Sequence, residues 1–142
     1  MEKPEPPEKK TTPRAADIMV QNYVHFKPDD EVYLAMNLLQ EAGVSGGPVL
    51  DDKHHLLGFL SEKDCLVAVS RDVYHNEKLG GKVESFMTPA EGLTTIAPET
   101  GLYKTAQLFI HLPYKKLLVV EGDKFLGVVR RSDVLSHIRD HH

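Results

Sequence analysis

The chain has 142 residues, with 17 Lys plus Arg against 21 Asp plus Glu, 41% hydrophobic residues, a net charge of −4 and one cysteine, the composition of one ordinary globular domain. At this length folding buries roughly two-thirds of the surface the unfolded chain exposes, so the core needs neither metal nor disulfide, and Cys65 alone forms no internal disulfide. The acidic balance excludes a general nucleic-acid or membrane-surface binder; no apolar run approaches the roughly 20 residues that span a bilayer and the N-terminus has no apolar signal core, so a cytoplasmic location is expected.

Residues 1–13 hold Pro4, Pro6, Pro7 and Pro13 among charged and threonine neighbours, which predicts a disordered tail. The rest repeats itself: Met19 recurs as Met87, Pro28 as Pro98, and the run from Leu57-Gly58 to Asp64 as Leu126-Gly127 to Asp133, with the glycine and the aspartate both displaced by 69 positions. The expected copies are 14–80 and 81–142. In the first, a short strand at 23–26 precedes a helix N-capped by Asp30, with Val32, Ala35, Met36 and Leu39 on one face. Strands at 48–50 and 56–60 form a hairpin, and a helix from Ser61 carries Leu66, Val67 and Val69. The second copy follows suit. A strand at 93–96 leads to a helix N-capped by Thr100 with Leu102, Thr105, Ala106 and Phe109 on one face; strands at 117–120 and 125–129 flank Gly122-Asp123, and a helix from Arg130 carries Val134, Leu135 and Ile138. The fold class is α/β (α+β): two pseudo-twofold-related β-α-β-β-α repeats whose sheets pack face to face, with paired clefts between the halves.

The Gly122-Asp123 turn sets a register with Lys115 and Lys116 opposite Arg130 and Val129, so that four cations, counting Arg131, meet at one strand end. The same register in the first copy puts Gly46 and Gly47 opposite Ser61 and Leu60, an end that is small and nearly neutral. Each end adjoins a helix N-terminus, where free N–H groups and the dipole favour phosphate, and each helix has an aspartate in its first turn, Asp64 or Asp133, suited to hold a ribose diol. A structural reading stands beside this: Ser61-x-x-Asp64 is a passable capping box, although Arg130 supplies no side-chain oxygen cap in the second copy. The cations are also readable as a solvated face, and Gly46-Gly47-Pro48 as a strand-start turn. Catalytic chemistry finds no support: Cys65 has no histidine at a partner spacing and reads as buried and structural. His54-His55 falls in a turn, and His137 and His141, though spaced i, i+4, end in His142 as a frayed tail or a tag remnant. No P-loop, GxSxG or HExxH motif is present, so no enzyme is expected.

The duplicated unit, the openings Asp17-Ile18-Met19 and Ser85-Phe86-Met87-Thr88-Pro89, Gly46-Gly47-Pro48-Val49, and the closing Gly58-Phe59-Leu60-Ser61-Glu62-Lys63-Asp64 resemble a tandem pair of CBS (cystathionine-β-synthase) domains, over about residues 14 to 140. The resemblance implies a disc-like module, often dimerised, that binds AMP, ADP, ATP or S-adenosylmethionine in its clefts. It implies that Asp64 and Asp133 hold ribose hydroxyls and that Ser61 touches phosphate. Tyr23, Val24, Thr94 and Thr95, with Ser45, Gly46 and Gly47 and with Tyr114, Lys115 and Lys116, would line the adenine pockets. Arg130 departs from the family's Ser or Thr, and two readings stay open: it contacts phosphate, or its bulk closes the pocket. The four cations make the Asp133 cleft the expected stronger phosphate site.

No cofactor is required on this reading; an adenine nucleotide, alone or with Mg²⁺, is the regulatory ligand. The expected partners are a second copy of the chain and an effector protein in trans, the chain being either a free-standing module or a piece of a larger protein. The alternative is a ligand-free structural module that dimerises through apolar helix faces. A metal- or nucleic-acid-responsive module is a weaker third.

Overall fold

A computed structural model of the chain describes residues 12–75 and 80–140. The expected tail lies outside these apart from Thr12 and Pro13, as do His141 and His142. The elements run α1 (Ala15–Ile18), α2 (Val32–Ala42), β1 (Gly46–Leu50), β2 (Leu56–Ser61), α3 (Glu62–His75), β3 (Thr88–Pro89), β4 (Thr95–Ile96), α4 (Leu102–His111), β5 (Lys116–Glu121), β6 (Lys124–Arg130) and α5 (Arg131–Asp140), with single 3₁₀ turns at Val83–Ser85 and Ala90–Gly92. There are two three-stranded sheets, ordered β1-β2-β3 and β4-β5-β6. They belong to two compact units: Tyr23–Leu93, and the described residues up to Asn22 together with those from Thr94 onward.

In the Tyr23–Leu93 unit, the i, i+3, i+7 residues Val32, Ala35 and Leu39 of α2 are buried with Phe26, Val49, Leu60, Cys65, Ala68 and Val83. Each large side chain among them contributes roughly 1.5–3 kcal/mol by leaving water. α2 stops at Gly43, whose φ of 66° lets the chain turn left-handed; the Gly43 and Val44 N–H groups close back on Gln40 and Leu39 carbonyls. The N-cap of α2 is Glu31, not Asp30, and that of α4 is Gly101, not Thr100. Asp30 instead turns its carboxylate back onto the Lys27 N–H at 2.8 Å, a local bond that competes with capping.

The predicted strand at 23–26 shrinks to one parallel bridge between Phe26 and Val49. The Phe26 N–H reaches the Pro48 carbonyl and the Leu50 N–H reaches the Phe26 carbonyl. The next rung would need an N–H on Pro48, which proline lacks. In the other unit Leu118 stands at the matching place, and a true parallel strand forms there, with Thr95 opposite Leu118 and Ile96 opposite Val119.

That second unit buries Ala15, Ile18, Ile96, Leu102, Phe109, Leu117, Val119, Val129 and Val134. Thr105, on the buried face of α4, satisfies its hydroxyl on the Gly101 carbonyl at 2.8 Å. Of the residues predicted on the last helix of each copy, Val134 is buried, whereas Leu66, Val67 and Leu135 are exposed, and Cys65 and Ala68 take the inward positions on α3.

The sequence copies and the compact units differ by two exchanged segments, 14–22 and 81–93. In the Tyr23–Leu93 unit the 3₁₀ turn at Val83–Ser85 docks on the loop before α2: the Val83 N–H bonds the Asp30 carbonyl, Glu84 the Pro28 carbonyl, and Val32 returns a bond to the Gly81 carbonyl. In the other unit α1 does the same before α4, with Ala15 to Thr100, Ala16 to Pro98, and Leu102 back to Pro13. Each unit thus takes its opening turn from the other copy of the repeat, and Pro13 is part of the fold.

Candidate functional site

Each hairpin delivers its second strand directly into a helix, so a strand end and a helix N-terminus share one corner. In the Tyr23–Leu93 unit the register is as expected, Gly46 opposite Ser61 and Gly47 opposite Leu60. The Glu62 N–H at the start of α3 is taken by the Ser45 carbonyl at 2.8 Å. Val24 crosses Gly47 closely: a methyl group on that glycine would lie 2.6 Å from the Val24 carbonyl oxygen. Tyr23 is buried just upstream, its carbonyl 3.1 Å from His25 Nδ1. Tyr23, Val24, Gly46, Gly47, Ser61 and Asp64 are therefore together in one corner. Phe59, absent from the predicted set, joins them, since a methyl group on Gly46 would strike its ring. Its signal in the sequence was the i, i+2 spacing from Ser61, which puts both residues on one face of β2.

In the other unit the register corrects the sequence reading by one position. Lys116, not Lys115, lies opposite Arg130, and Leu117 opposite Val129. A bulge between Val119 and Val120 shifts the count that the Gly122-Asp123 turn had fixed. Lys115 still reaches the corner, because its carbonyl accepts the Arg131 N–H at 3.1 Å, as Ser45 accepts that of Glu62. Arg130, Arg131, Lys115 and Lys116 thus remain at one strand end, with Tyr114 beside them in the chain and Thr95 on the neighbouring strand β4, preceded by Thr94.

The two aspartates are both capping residues. Asp64 Oδ2 accepts the Ser61 N–H at 2.8 Å and the Ser61 hydroxyl at 2.9 Å, while Ser61 Oγ accepts the Asp64 N–H at 3.2 Å, a complete capping box. Asp133 Oδ2 likewise accepts the Arg130 N–H at 2.9 Å. The second aspartate therefore caps its helix although Arg130 supplies no side-chain oxygen, and the structural role is common to both corners. The difference lies in the side chains. Arg130 Nε donates to Asp133 Oδ2 at 2.9 Å and Nη2 to Oδ1 at 2.7 Å, a two-pronged ion pair in which both carboxylate oxygens are used. Burial pushes the Asp133 carboxyl up, but the hydrogen bonds and charge of Arg130 outweigh it and hold the group below the ordinary carboxylate range.

Other candidates fall away. Cys65 is buried, and burial together with the Asp64 and Glu62 charges pushes its thiol up, away from nucleophilic thiolate. His54 sits in the β1–β2 turn with φ of 64°, and His55 pairs with Asp51 at 3.0 Å. His137 Nδ1 lies 2.9 Å from the Asp133 carbonyl, and its expected metal partner His141 falls outside the described residues. Among the described residues no group of three or more His, Cys, Asp or Glu could hold a metal ion, and no helix is long and apolar enough to cross a membrane.

Two three-stranded sheet-and-helix units, each with an aspartate capping the helix that leaves its hairpin, define a tandem-repeat mixed α and β fold. The CBS domain family matches twice, over residues 15–71 and 83–140, and the chain belongs to that family. It is 29% identical over 138 residues to the chloroplastic CBS domain-containing protein CBSX2 of Arabidopsis thaliana, covering 81% of this chain and 58% of that protein. It is 28% identical over 118 residues to the inosine-5'-monophosphate dehydrogenase of Aquifex aeolicus, covering 82% of this chain and 23% of the enzyme. The chain thus spans only part of the curated relatives it matches. The crystal structure of CBSX2 in complex with AMP superposes with a TM-score of 0.77 at 28% identity, covering 91% of this chain and 98% of that one. An AcuB protein from Vibrio cholerae shares the fold at a TM-score of 0.78 and 21% identity.

Proposed function

We propose that the chain is a regulatory module that binds adenosine-containing nucleotides at its two strand-end corners and signals their presence to a partner protein. The observation that carries this reading is the corner itself: a helix N-terminus, an aspartate in its first turn and, in one unit, four cations beside it. AMP in the related CBSX2 structure supports the ligand class. Asp64 and Asp133 would take ribose hydroxyls, Ser61 and the Arg130, Arg131, Lys115 and Lys116 cluster would face phosphate, and Tyr23, Val24, Gly46, Gly47, Thr94, Thr95 and Tyr114 would border the base. The chemistry is recognition rather than turnover. The module would act through a difference in ligand affinity between two states of the assembly it regulates.

The test is calorimetric titration of the nucleotide-free chain with AMP, ADP, ATP and S-adenosylmethionine, with and without Mg²⁺, beside Asp64→Ala and Asp133→Ala. Saturable binding weakened at least about tenfold by Asp133→Ala is expected. Loss in Asp64→Ala alone would move the principal site to the Ser61 corner, and no binding of any of the four would overturn the reading.

A second reading, self-association, rests on large apolar side chains left in solvent on the helices: Leu34 on α2, Leu66 and Val73 on α3, Ile110 on α4 and Leu135 on α5. It is compatible with ligand binding.

A further inference from the structure

The two corners differ at one position in a way that bears on ligand choice. Where the Tyr23–Leu93 unit has Ser61, a neutral donor to Asp64, the other unit has Arg130, whose guanidinium grips both oxygens of Asp133. Resting on the nucleotide reading above, we propose that Arg130 is a phosphate-specificity residue. It clasps Asp133 until a ligand offers a phosphate, then passes to the phosphate and frees the carboxylate for the ribose diol.

The exchange follows from what each partner can offer. A nucleoside without phosphate must displace Arg130 from Asp133 with two neutral hydroxyls, giving up two charge-assisted hydrogen bonds for weaker ones. A nucleoside phosphate removes that cost, because its oxygens accept the same planar fork that the carboxylate accepted. Arg130 is placed to make the move: its side chain is half exposed at 51%, whereas that of Asp133 is 14% exposed and fixed on α5 by the Arg130 N–H. The Ser61 corner has no such clasp. There a diol competes only with a serine hydroxyl and a backbone N–H for Asp64, so that corner discriminates less between nucleotide and nucleoside. One chain thus carries a phosphate-gated site and an ungated one.

The experiment is a two-dimensional amide NMR titration of the full chain with AMP and with adenosine, in wild type, Arg130→Ser and Arg130→Lys. Signals of Arg131 and Asp133 report one corner and those of Glu62 and Asp64 the other. Arg130→Ser recreates the capping box that Ser61 already forms, so the fold and the α5 cap persist. In wild type, AMP is expected to bind the Asp133 corner at least about tenfold more tightly than adenosine. In Arg130→Ser the preference falls to within about threefold, through both weaker AMP and tighter adenosine, and Arg130→Lys, which keeps the charge without the fork, lies between. A preference unchanged in Arg130→Ser would overturn the proposal while leaving nucleotide binding intact. Tighter AMP in that variant, the behaviour of an arginine that merely blocks the corner, would also overturn it. No binding of AMP at either corner in any of the three proteins would overturn the proposal, and the nucleotide reading itself falls with it when ADP, ATP and S-adenosylmethionine fail to bind as well.

Discussion

Met87 lies over Gly58, so close that a methyl group on the glycine would sit 2.6 Å from its sulfur and 2.5 Å from the Thr88 carbonyl oxygen. The relation is repeated between Met19 and Gly127, where the same methyl group would meet the sulfur at 2.8 Å and the Val20 carbonyl at 2.9 Å. Both glycines therefore exist for close approach of a neighbouring segment rather than for an unusual backbone angle. Gly58→Ala and Gly127→Ala are each expected to destabilise their unit by about 1–3 kcal/mol, measured as a shift of the urea midpoint. Met87→Ala in the Gly58→Ala background should restore little, because the carbonyl clash remains. Full rescue by the methionine change would show that the sulfur alone sets the spacing.

These pairs also show what could be read from the sequence. The recurrence of Met19 as Met87 and of Gly58 as Gly127 was visible, and it located the copies. That each methionine packs on the glycine of the opposite copy was not, because α1 and the Val83–Ser85 turn are single helical turns and β3 has two residues, too short for any periodicity to declare a face. The α2 and α4 faces, where Val32, Ala35 and Leu39 or Leu102, Thr105 and Phe109 recur at helical spacing, were legible because burial imposes a period. The bulge at Val119/Val120 was not, so counting from the Gly122-Asp123 turn put Lys115 rather than Lys116 opposite Arg130. At the candidate site, residue types and their neighbourhood could be read, but the fork between Arg130 and Asp133 is a side-chain geometry that spacing does not specify.

Asp133 makes the stability of its unit acid-sensitive in a defined window. Its carboxyl titrates below the ordinary value when folded, so the Arg130 pair contributes fully above the unfolded pKa of about 3.9 and is lost as pH falls through the lower folded value. Asp133→Asn is expected to cost about 1 kcal/mol at pH 6, the worth of a helix cap and a half-exposed ion pair. Urea titrations at pH 6 and at pH 3 or below should show that deficit shrinking as the wild-type carboxylate takes up a proton, since the asparagine carries no charge to lose. A deficit of equal size at both pH values would assign the effect to shape and not to charge.

Cys65 should behave as core. It is 3% exposed, and burial with the neighbouring Asp64 and Glu62 carboxylates raises its thiol pKa. Reaction with a disulfide reagent at pH 8 is expected to be at least about a hundredfold slower in the folded chain than in denaturant, since it waits on opening of α3. Cys65→Ser should lower stability by about 1–3 kcal/mol through a hydroxyl placed among Leu39, Leu60 and Ala68. A fast folded-state reaction would mean that α3 opens independently of its unit.

The helix surfaces decide between a solitary module and an assembly. Leu34 is 58% exposed and Leu66 68%, and α2 and α3 enclose a cleft of about 130 Å³ lined by Met36, Leu39, Gln40, Glu62, Cys65 and Leu66. A surface of this kind is expected to associate with its own copy, since burying apolar area at about 25 cal/mol per Å² offsets the cost of docking two rigid faces. Sedimentation velocity over a concentration series should show a dimer for the wild type and a monomer for the double variant Leu34→Lys, Leu66→Lys, whose thermal midpoint stays within a few degrees because neither side chain contributes to the core. A monomeric wild type at the highest concentration would remove self-association and leave those leucines as ordinary surface residues. Nucleotide titration of the double variant separates the two roles: unchanged affinity shows that the ligand corners work within one chain, and reduced affinity shows that association shapes them.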